Sequence, residues 1–276
     1  MQRQKNDVYV KQRLQPKATS SSQLEQDFDK VVGRGYVSRS AFKILQLDNR
    51  YRFLRAGRVI VDLGAAPGGW SQAMLERASK DRNKLGDCSM TGRMTRVFAL
   101  DLLPVIGIEG VQSIQGDFLD PAVQGKLRQM VQDATVTGEC KEGETGGNQG
   151  FVDIVVSDMM ANTTGNPVTD TEASLELCRA AARFAFQTLK RDYHLSKQVE
   201  GDTRKPRSLK ALAAKSSVLV LKHFMSHEAD VFRKEVLQKH FHLVKAEKMN
   251  ASRKESREQF WVCIGYKGPL SPRSKQ

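Results

Sequence analysis

The sequence has little cysteine, and its cysteines are not spaced as pairs. None of the four belongs to a C-x-x-C motif; they are Cys88, Cys140, Cys178 and Cys263. With four scattered cysteines and no such motif, we expect neither a disulfide framework nor a structural zinc site. His223 and His227 stand four residues apart, but the segment HFMSHE lacks the H-E-x-x-H arrangement of zinc enzymes. The sequence therefore predicts reduced thiols, an intracellular protein and no metal site.

Long apolar segments are also missing. No run reaches the about 18 apolar residues that a transmembrane helix needs, and no secretory signal peptide is visible. Hydrophobic residues make up 39% of the 276 residues, and the mean hydropathy is −0.47. This length and composition predict one α/β domain with exposed insertions or tails, and no contact with a membrane.

Positive charge is what the sequence has in excess. Lysine and arginine number 44 against 31 acidic residues, which gives a formal net charge of +13 and a pI of about 9.7. A basic surface attracts polyanions, so nucleic acid is the predicted partner. Two other interpretations stay open: a soluble protein that is merely basic, and a protein imported into mitochondria. Five of the first 24 residues are basic and one is acidic, as in an RNA-binding arm or near a mitochondrial presequence.

Helical and strand patterns alternate along the chain. Apolar residues recur at helical spacing over 38–50, 71–80, 121–133, 170–190 and 228–241. Short apolar or β-branched runs predict strands over 59–63, 96–103, 111–118, 151–160, 216–224, 242–250 and 257–268. This alternation predicts an α/β fold with a doubly wound, Rossmann-like and mostly parallel sheet. In such a sheet the ligand lies beyond the carboxyl ends of the strands.

Composition divides the chain into one domain and its additions. Residues 1–30 are predicted to be a basic N-terminal extension, and residues 31–268 the domain itself. Two insertions are expected to interrupt the domain, a Gly-rich one near 137–150 and a basic, polar one near 191–214. The tail 269–276 is predicted to be disordered.

The clearest motif is D-L-G-A-A-P-G-G-W at residues 62–70, where the first strand gives way to a helix. Glycines at such a turn let the backbone approach a ligand, and the helix N-terminus offers amides and a positive dipole end. The motif is neither G-x-G-x-x-G nor G-K-[ST], which argues against a dinucleotide fold and against a P-loop. It predicts a nucleotide-binding loop, with an ordinary tight turn as the alternative.

Two acidic residues end the next two strands. Asp101 is placed to accept hydrogen bonds from both hydroxyls of a ribose, as acids at this position do. Asp117, in Q-G-D-F, is placed to bind the exocyclic amine of an adenine. Either residue could instead cap a helix, which is a common role of aspartate.

Four further charges are predicted to meet at the ends of buried strands. Asp158 follows the run IVVS, and Lys222 follows VLVL. Buried charges are costly unless they are paired, so these two would need partners, and Lys43 and Glu258 can supply them. A site for chemistry and a structural network of ion pairs are both compatible with this pattern.

At these positions the sequence resembles the FtsJ-like heat-shock RNA methyltransferases, from Asp7 to about Gly268 with the two insertions between. The segments that carry the resemblance are V-S-R-S-A-F-K (37–43), D-L-G-A-A-P-G-G-W-S-Q (62–72), D-L-L-P (101–104), Q-G-D-F (115–118), S-D-M (157–159) and S-R-K-E-S-R-E (252–258). The resemblance implies a Rossmann-like sheet whose last strand is antiparallel, and S-adenosylmethionine as the cofactor. It also implies a catalytic K-D-K-E tetrad, which falls on Lys43, Asp158, Lys222 and Glu258.

The same resemblance implies where the cofactor binds. Its expected ligands are Gly64, Ala65, Pro67, Gly68, Gly69, Trp70, Asp101, Asp117 and Asp158. Two segments depart from the family pattern. The usual D-M-A-P-N reads D-M-M-A-N at residues 158–162, without the proline, and the 191–214 insertion replaces an L-x-P-G-G turn. Both departures affect loop geometry and substrate choice, but neither removes a tetrad residue.

The activity implied by the resemblance is methylation of a ribose 2′-hydroxyl in RNA. Lys222 is the expected base, or the group that orients the hydroxyl, and Asp158 is expected to hold it. Lys43 and Glu258 are expected to position the ribose. Phosphate contacts are expected from basic residues near Lys43 and in the second insertion: Lys11, Arg34, Arg39, Arg50, Lys197, Arg204, Lys205, Arg207, Lys210 and Lys215.

The resemblance also narrows the expected substrate. S-D-M with Asn162 is similar to members that act on ribosomal RNA rather than on tRNA. S-R-K-E-S at 252–256 and the two insertions are similar to the mitochondrial branch, which modifies a uridine of the large-subunit RNA. We therefore expect large-subunit ribosomal RNA or its assembling subunit as partner, a mitochondrial location and a monomer. The alternatives are a silent RNA-binding assembly factor, a tRNA 2′-O-methyltransferase, and a small-molecule or protein methyltransferase that the charge fits poorly.

Overall fold

The computed structural model describes residues 35–85, 94–136, 150–162, 164–192, 208–249 and 257–269. The helices are α1 (Ala41–Tyr51), α2 (Gly69–Leu85), α3 (Pro121–Val136), α4 (Pro167–Thr188), α5 (Leu209–Ala213), α6 (His227–Phe232) and α7 (Gln238–His240), with a π-helical turn at Arg233–Leu237 between the last two. The strands are β1 (Val59–Leu63), β2 (Arg96–Asp101), β3 (Val111–Gln115), β4 (Ile154–Ser157), β5 (Val218–Phe224), β6 (Phe241–Glu247) and β7 (Glu258–Tyr266). The expected extension 1–30, most of both insertions and the tail from 270 onward lie outside the described residues.

All seven strands form one sheet in the order β3-β2-β1-β4-β5-β7-β6. The pairs from β3 across to β5 are parallel, whereas β7 runs antiparallel to both β5 and β6. The predicted α/β class, the mostly parallel sheet and the antiparallel last strand are therefore confirmed. The parallel strands bring their carboxyl ends to one side of the sheet, which we call the carboxyl edge; the opposite side is the amino edge.

Each face of the sheet is covered by its own apolar cluster, because strands of a parallel sheet are buried on both sides. One cluster packs α3, α4 and α6 against the sheet and contains Phe184 and Trp261. The other packs α1, α2 and α5 against the sheet and contains Ile44, Trp70 and Phe260. Every residue of β1 is buried, as its run of β-branched residues predicts.

Several boundaries differ from the sequence predictions. Helix α2 continues to Leu85, through residues expected to be irregular, because Arg55 pairs with Asp81 at 2.7 Å and Ala56 N–H also donates to that carboxylate. Strand β5 ends at Phe224 as predicted, where β7 pairs Phe224 with Glu258, but β4 is confined to Ile154–Ser157 within the predicted 151–160. Helix α5 occupies the end of the predicted second insertion and buries Ala213.

No described helix combines the length and the apolar composition that crossing a membrane requires.

Candidate active site

The D-L-G-A-A-P-G-G-W motif lies at the carboxyl edge, between β1 and α2. Gly64 has φ +77°, and a Cβ there would come within 2.8 Å of the Met159 backbone. Only glycine fits this conformation and spacing without displacing the β4 loop. Ala65 is buried, and its N–H and that of Gly64 both donate to Leu100 O on β2. The start of the loop is therefore fixed against both neighbouring strands.

The second half of the loop is held by two other segments. Ile106 N–H donates to Pro67 O at 3.0 Å, and a Cβ at Gly68 would meet the Ile108 side chain at 2.6 Å. A Cβ at Gly69 would lie 2.0 Å from Ser38 Oγ. These contacts leave no room for larger residues, and they place the N-terminus of α2 at the carboxyl edge.

Asp101 and Asp117 stand at the same edge, with their carboxylates oriented by the backbone. Asp101 accepts hydrogen bonds from Ala66 N–H and Leu103 N–H, both at 2.9 Å, one on each carboxylate oxygen. Asp117 is exposed and accepts from Leu119 N–H at 2.8 Å. A carboxylate oxygen can accept more than one hydrogen bond, so both groups fit a ligand with hydroxyl or amino donors. Neither caps a described helix.

Asp62 is a site candidate that the sequence analysis passed over. It is fully buried on β1; its Oδ2 accepts from Ser71 Oγ at 2.6 Å, and no described residue donates to its Oδ1. Burial raises its pKa to about 7, although the bond from Ser71 lowers it, and Asp158 and Asp101 raise it further. The signal was in the sequence, because an acid in the middle of a buried strand needs a partner. A buried carboxylate behind the loop, with one oxygen that accepts from Ser71 and one that lacks a donor, fits a cationic or hydrogen-bonding cofactor group.

Lys222 and Asp158 form the first of two charge pairs. Lys222 Nζ lies 3.2 Å from Asp158 Oδ1 and donates a 2.5 Å hydrogen bond to Asp158 O. Both side chains are largely buried, with 6% and 15% of their surfaces exposed. Asp158 N–H donates to Leu63 O at 3.1 Å, which ties the residue to the end of β1. The pair therefore lies at the carboxyl edge, next to the loop formed by residues 64–70, which we call the glycine loop.

Lys43 and Glu258 form the second pair. Lys43 Nζ lies 2.7 Å from Glu258 Oε1, and 5.6 Å from the ring centre of Phe260. Phe260 is the register partner of Lys222 across β5 and β7, so the two pairs are neighbours on one face of the sheet. The structure thus brings the four residues together as two ion pairs. This geometry also satisfies the alternative of a structural ion-pair network.

Helix α1, which carries Lys43, is anchored at its far end. Glu247 on β6 is buried, pairs with Arg50 and accepts a hydrogen bond from Tyr51 Oη. Asp48 is also buried and pairs with Arg77 of α2 at 2.7 Å. These contacts fix Lys43 relative to the sheet and to α2.

The histidine and cysteine positions support structural roles. His223 stacks on Trp261 with ring centres 3.7 Å apart, and burial lowers its pKa to about 4. Burial raises the pKa of the Cys178 thiol to about 12 and also raises that of Cys263. In the described part of the chain, no three His, Cys, Asp or Glu side chains are grouped to hold a metal ion.

Comparisons with known proteins identify the family of this chain. The family model described as FtsJ-like methyltransferase matches residues 36–266. "Ribosomal RNA large subunit methyltransferase E" of Rhodopseudomonas palustris strain HaA2 is 34% identical over 268 residues, covering 97% of this chain and 84% of the relative. The Rhizobium etli protein of the same name is 34% identical, covering 97% and 83%.

A solved structure agrees at the level of the fold. The crystal structure of a provisionally assigned ribosomal RNA methyltransferase from Plasmodium falciparum superposes with a TM-score of 0.60 at 23% identity. The match covers 85% of this chain and all of the other. From the family match and the curated relatives together, the chain belongs to the FtsJ-like methyltransferase family, and its cofactor is S-adenosylmethionine.

Proposed function

We propose that the protein transfers a methyl group to a ribose 2′-hydroxyl of large-subunit ribosomal RNA. The observation that carries the proposal is the meeting of two lysine–carboxylate pairs, Lys222–Asp158 and Lys43–Glu258, beside the glycine loop. Two such pairs provide a proton acceptor and groups that orient a hydroxyl within one small region. Bound S-adenosylmethionine supplies a methyl group already activated on a sulfonium.

The cofactor is proposed to lie along the carboxyl edge. Asp101 would accept from the ribose hydroxyls, and Asp117 from the adenine amine, since their carboxylates are fixed there by backbone amides. The loop from Gly64 to Trp70 would follow the methionine part, where small residues allow close approach of the backbone. Asp158, at the end of β4, would face the methyl group.

Lys222 is proposed to move the proton. Its Nζ is held by Asp158 through both a side-chain and a backbone oxygen, which fixes the direction of its remaining donor or lone-pair position. A ribose hydroxyl is a weak nucleophile, and a positioned base contributes about 10²- to 10⁴-fold to such reactions. As the neutral amine, Lys222 Nζ would accept the hydroxyl proton as the oxygen bonds to the methyl carbon and the carbon–sulfur bond breaks, with S-adenosylhomocysteine as the leaving group.

Lys43 and Glu258 are proposed to hold the ribose. Their ion pair is partly buried and lies against Phe260, so its two charges are oriented before the substrate arrives. Alignment of the attacking oxygen can supply several kcal/mol of barrier lowering.

The choice of RNA rests on charge and on the 2′-hydroxyl. The net charge is +13, and Arg39, Arg50 and the exposed Arg257 lie near Lys43 or Glu258 in the sequence. Exposed Lys210 and Lys215 belong to the expected second patch, while Lys11, Arg34, Lys197, Arg204, Lys205 and Arg207 lie outside the described residues. Among nucleic acids, only RNA carries the acceptor hydroxyl.

The proposal of large-subunit ribosomal RNA as the substrate rests on the names of the relatives. The curated relatives are named as large-subunit ribosomal RNA methyltransferases, and those compared are bacterial. A uridine acceptor and a mitochondrial location stay predictions that rest on the S-R-K-E-S segment, 252–256, and on the insertions. We also propose a monomer in which residues 31–268 form the methyltransferase domain and 1–30 a basic arm.

The test is methyl transfer from labelled S-adenosylmethionine to large-subunit ribosomal RNA, to assembling subunits and to tRNA. Nuclease and alkaline digestion of the product would follow, with Lys126→Ala, at an exposed position of α3, as the lysine control beside Lys222→Ala. We expect an alkali-resistant labelled dinucleotide from the ribosomal substrates with wild type and control, and its loss with Lys222→Ala.

Other outcomes would identify the alternatives. Label in tRNA alone would indicate a tRNA 2′-O-methyltransferase. Binding of S-adenosylhomocysteine and of ribosomal RNA without any transfer would indicate an assembly factor. Label that alkali releases as mononucleotides would indicate base methylation and would overturn the ribose assignment.

A further inference from the structure

The indole of Trp70 contacts the tetrad side of the molecule. Trp70 ends the glycine motif and is 2% exposed. Its Nε1–H donates to Ser40 O at 2.8 Å, and its ring packs on Phe260 with ring centres 5.7 Å apart. The backbone of Trp70 thus belongs to the glycine loop, while its side chain contacts Ser40, just before α1, and Phe260 on β7.

Both groups that the indole contacts, Ser40 O and the Phe260 ring, also contact Lys43. Ser40 O, which accepts the indole N–H, also accepts the backbone N–H of Lys43 at 2.9 Å. Phe260, on which the indole packs, carries the Lys43 ammonium over its ring at 5.6 Å. Phe260 is also two residues from Glu258, the ion-pair partner of Lys43. One side chain therefore supports both the backbone and the charged end of Lys43.

The segment before α1 strengthens this connection. Tyr36 Oη donates to Glu76 at 2.6 Å, and Val37 N–H donates to Gln72 Oε1 at 3.1 Å. Ser38 fills the space where Gly69 would carry a Cβ. Three successive residues ahead of α1 thus bind the first two turns of α2, next to the indole. The glycine loop and the start of α1 are therefore joined by hydrogen bonds and packing.

We infer that Trp70 is a positioning residue, whose indole fixes the Lys43–Glu258 pair relative to the methyl donor. The inference rests on the proposed function, because it assumes that Lys43 holds the ribose. A buried indole with a satisfied N–H is rigid, and small errors in the position of a reacting group cost large factors in rate. The indole hydrogen bond therefore contributes to turnover by setting the position of Lys43.

The test compares Trp70→Phe with Trp261→Phe in the full chain. Trp70→Phe keeps an aromatic ring for Phe260 and removes the bond to Ser40. Trp261 is a matched control, because it is equally buried but stacks on His223 on the opposite face of β7. The readouts are kcat and KM for RNA, the thermal midpoint, and the Kd for S-adenosylhomocysteine measured by calorimetry.

For Trp70→Phe we expect kcat to fall about tenfold, the scale of one lost positioning hydrogen bond, with the Kd for S-adenosylhomocysteine changed by less than about twofold. Trp261→Phe is expected to keep its kcat within about twofold while its thermal midpoint falls, since it loses packing alone. Wild-type kcat in Trp70→Phe, or a kcat loss matched by weaker S-adenosylhomocysteine binding, would overturn the inference.

A double-mutant cycle with Lys43→Ala separates a positioning role from a merely structural one. If the indole acts through Lys43, adding Trp70→Phe to Lys43→Ala should lower kcat by less than about twofold, because the positioned group is gone. A full tenfold loss in that background would mean that the indole acts elsewhere. Lys43→Ala with wild-type kcat would instead refute the role of Lys43 in the proposed function.

Discussion

The two edges of the sheet differ in how completely their buried charged groups are hydrogen-bonded. At the amino edge, Arg58 donates to the carbonyls of Ser216, Ala213 and Ala214. At the carboxyl edge, Asp62 keeps a buried Oδ1 to which no described residue donates a hydrogen bond, while Asp158 Oδ1 has the Lys222 ammonium 3.2 Å away. A buried polar group without a partner costs about 1–3 kcal/mol, more when charged, so proteins keep few of them.

Two carboxylates at the amino edge also have hydrogen-bond or ion-pair partners. Asp153 accepts from Val59 N–H and pairs with Lys190, both at 2.8 Å. Asp192 accepts from the N–H and the hydroxyl of Ser217. These contacts bind Asp153 to the start of β1 and Asp192 to the start of β5, so both carboxylates have partners within the fold. From this difference we expect that charges at the amino edge stabilise the fold, whereas those at the carboxyl edge bind a ligand.

The largest expected effect is at the carboxyl edge. Lys222→Ala should lower kcat for RNA methylation by about 10³-fold, because a positioned base contributes on this scale. The thermal midpoint and the Kd for S-adenosylhomocysteine, measured on the same samples, should change little. A comparable kcat loss in the exposed-lysine control Lys126→Ala would break the comparison, since it would show no special role for this edge.

The opposite result is expected at the amino edge. Arg58→Ala should lower the free energy of unfolding by about 3–5 kcal/mol, because it leaves three carbonyls buried without their charged donor. Chemical denaturation checks this value. The methylation rate per folded molecule should remain close to wild type; a selective loss of rate at unchanged stability would contradict the assignment.

A third prediction uses the pH dependence of unfolding. The folded-state pKa of Asp62 is raised to about 7 by burial, against an ordinary value of 3.8. Between these values the folded protein holds a proton that the unfolded chain lacks, so Asp62 lowers the stability increasingly as pH rises from about 4 to about 7, and stays unfavourable above. The cost at pH 8 is on the order of 4 kcal/mol.

Asp62→Asn is the variant that isolates this effect. It should gain stability relative to wild type at pH 8 and little at pH 4, which denaturation at several pH values in the absence of cofactor would measure. Parallel pH profiles for the two proteins would show that Asp62 is ionised at no unusual cost.

The smallest effect distinguishes ligand binding from helix capping within one loop. Asp117→Ala should weaken S-adenosylhomocysteine binding about tenfold through loss of one charge-assisted hydrogen bond. Asp120→Ala is the control, because Asp120 bonds Ala122 N–H at the start of α3 and should cost about 1 kcal/mol of stability instead. Exchange of these two outcomes would place the ligand away from Asp117.

Several parts of this molecule could be predicted from local sequence. The buried strands, the long helices and the turn at residues 62–70 follow from runs of apolar residues and from glycines, which act over a few neighbours. The end of α2 could not be predicted, since its last turns depend on Asp81 meeting Arg55, 26 residues away.

For the site, the sequence by itself determined the residue types and their order: a glycine loop, acids at strand ends, and two lysines with two carboxylates. Which charges pair was decided by the tertiary structure. It joined Lys43 to Glu258 and Lys222 to Asp158, left Asp62 without a second partner, and turned the Trp70 indole toward Lys43. The physical reason is range, because propensity and periodicity act over a few residues, while ion pairing and burial depend on distances in space that only the folded chain sets.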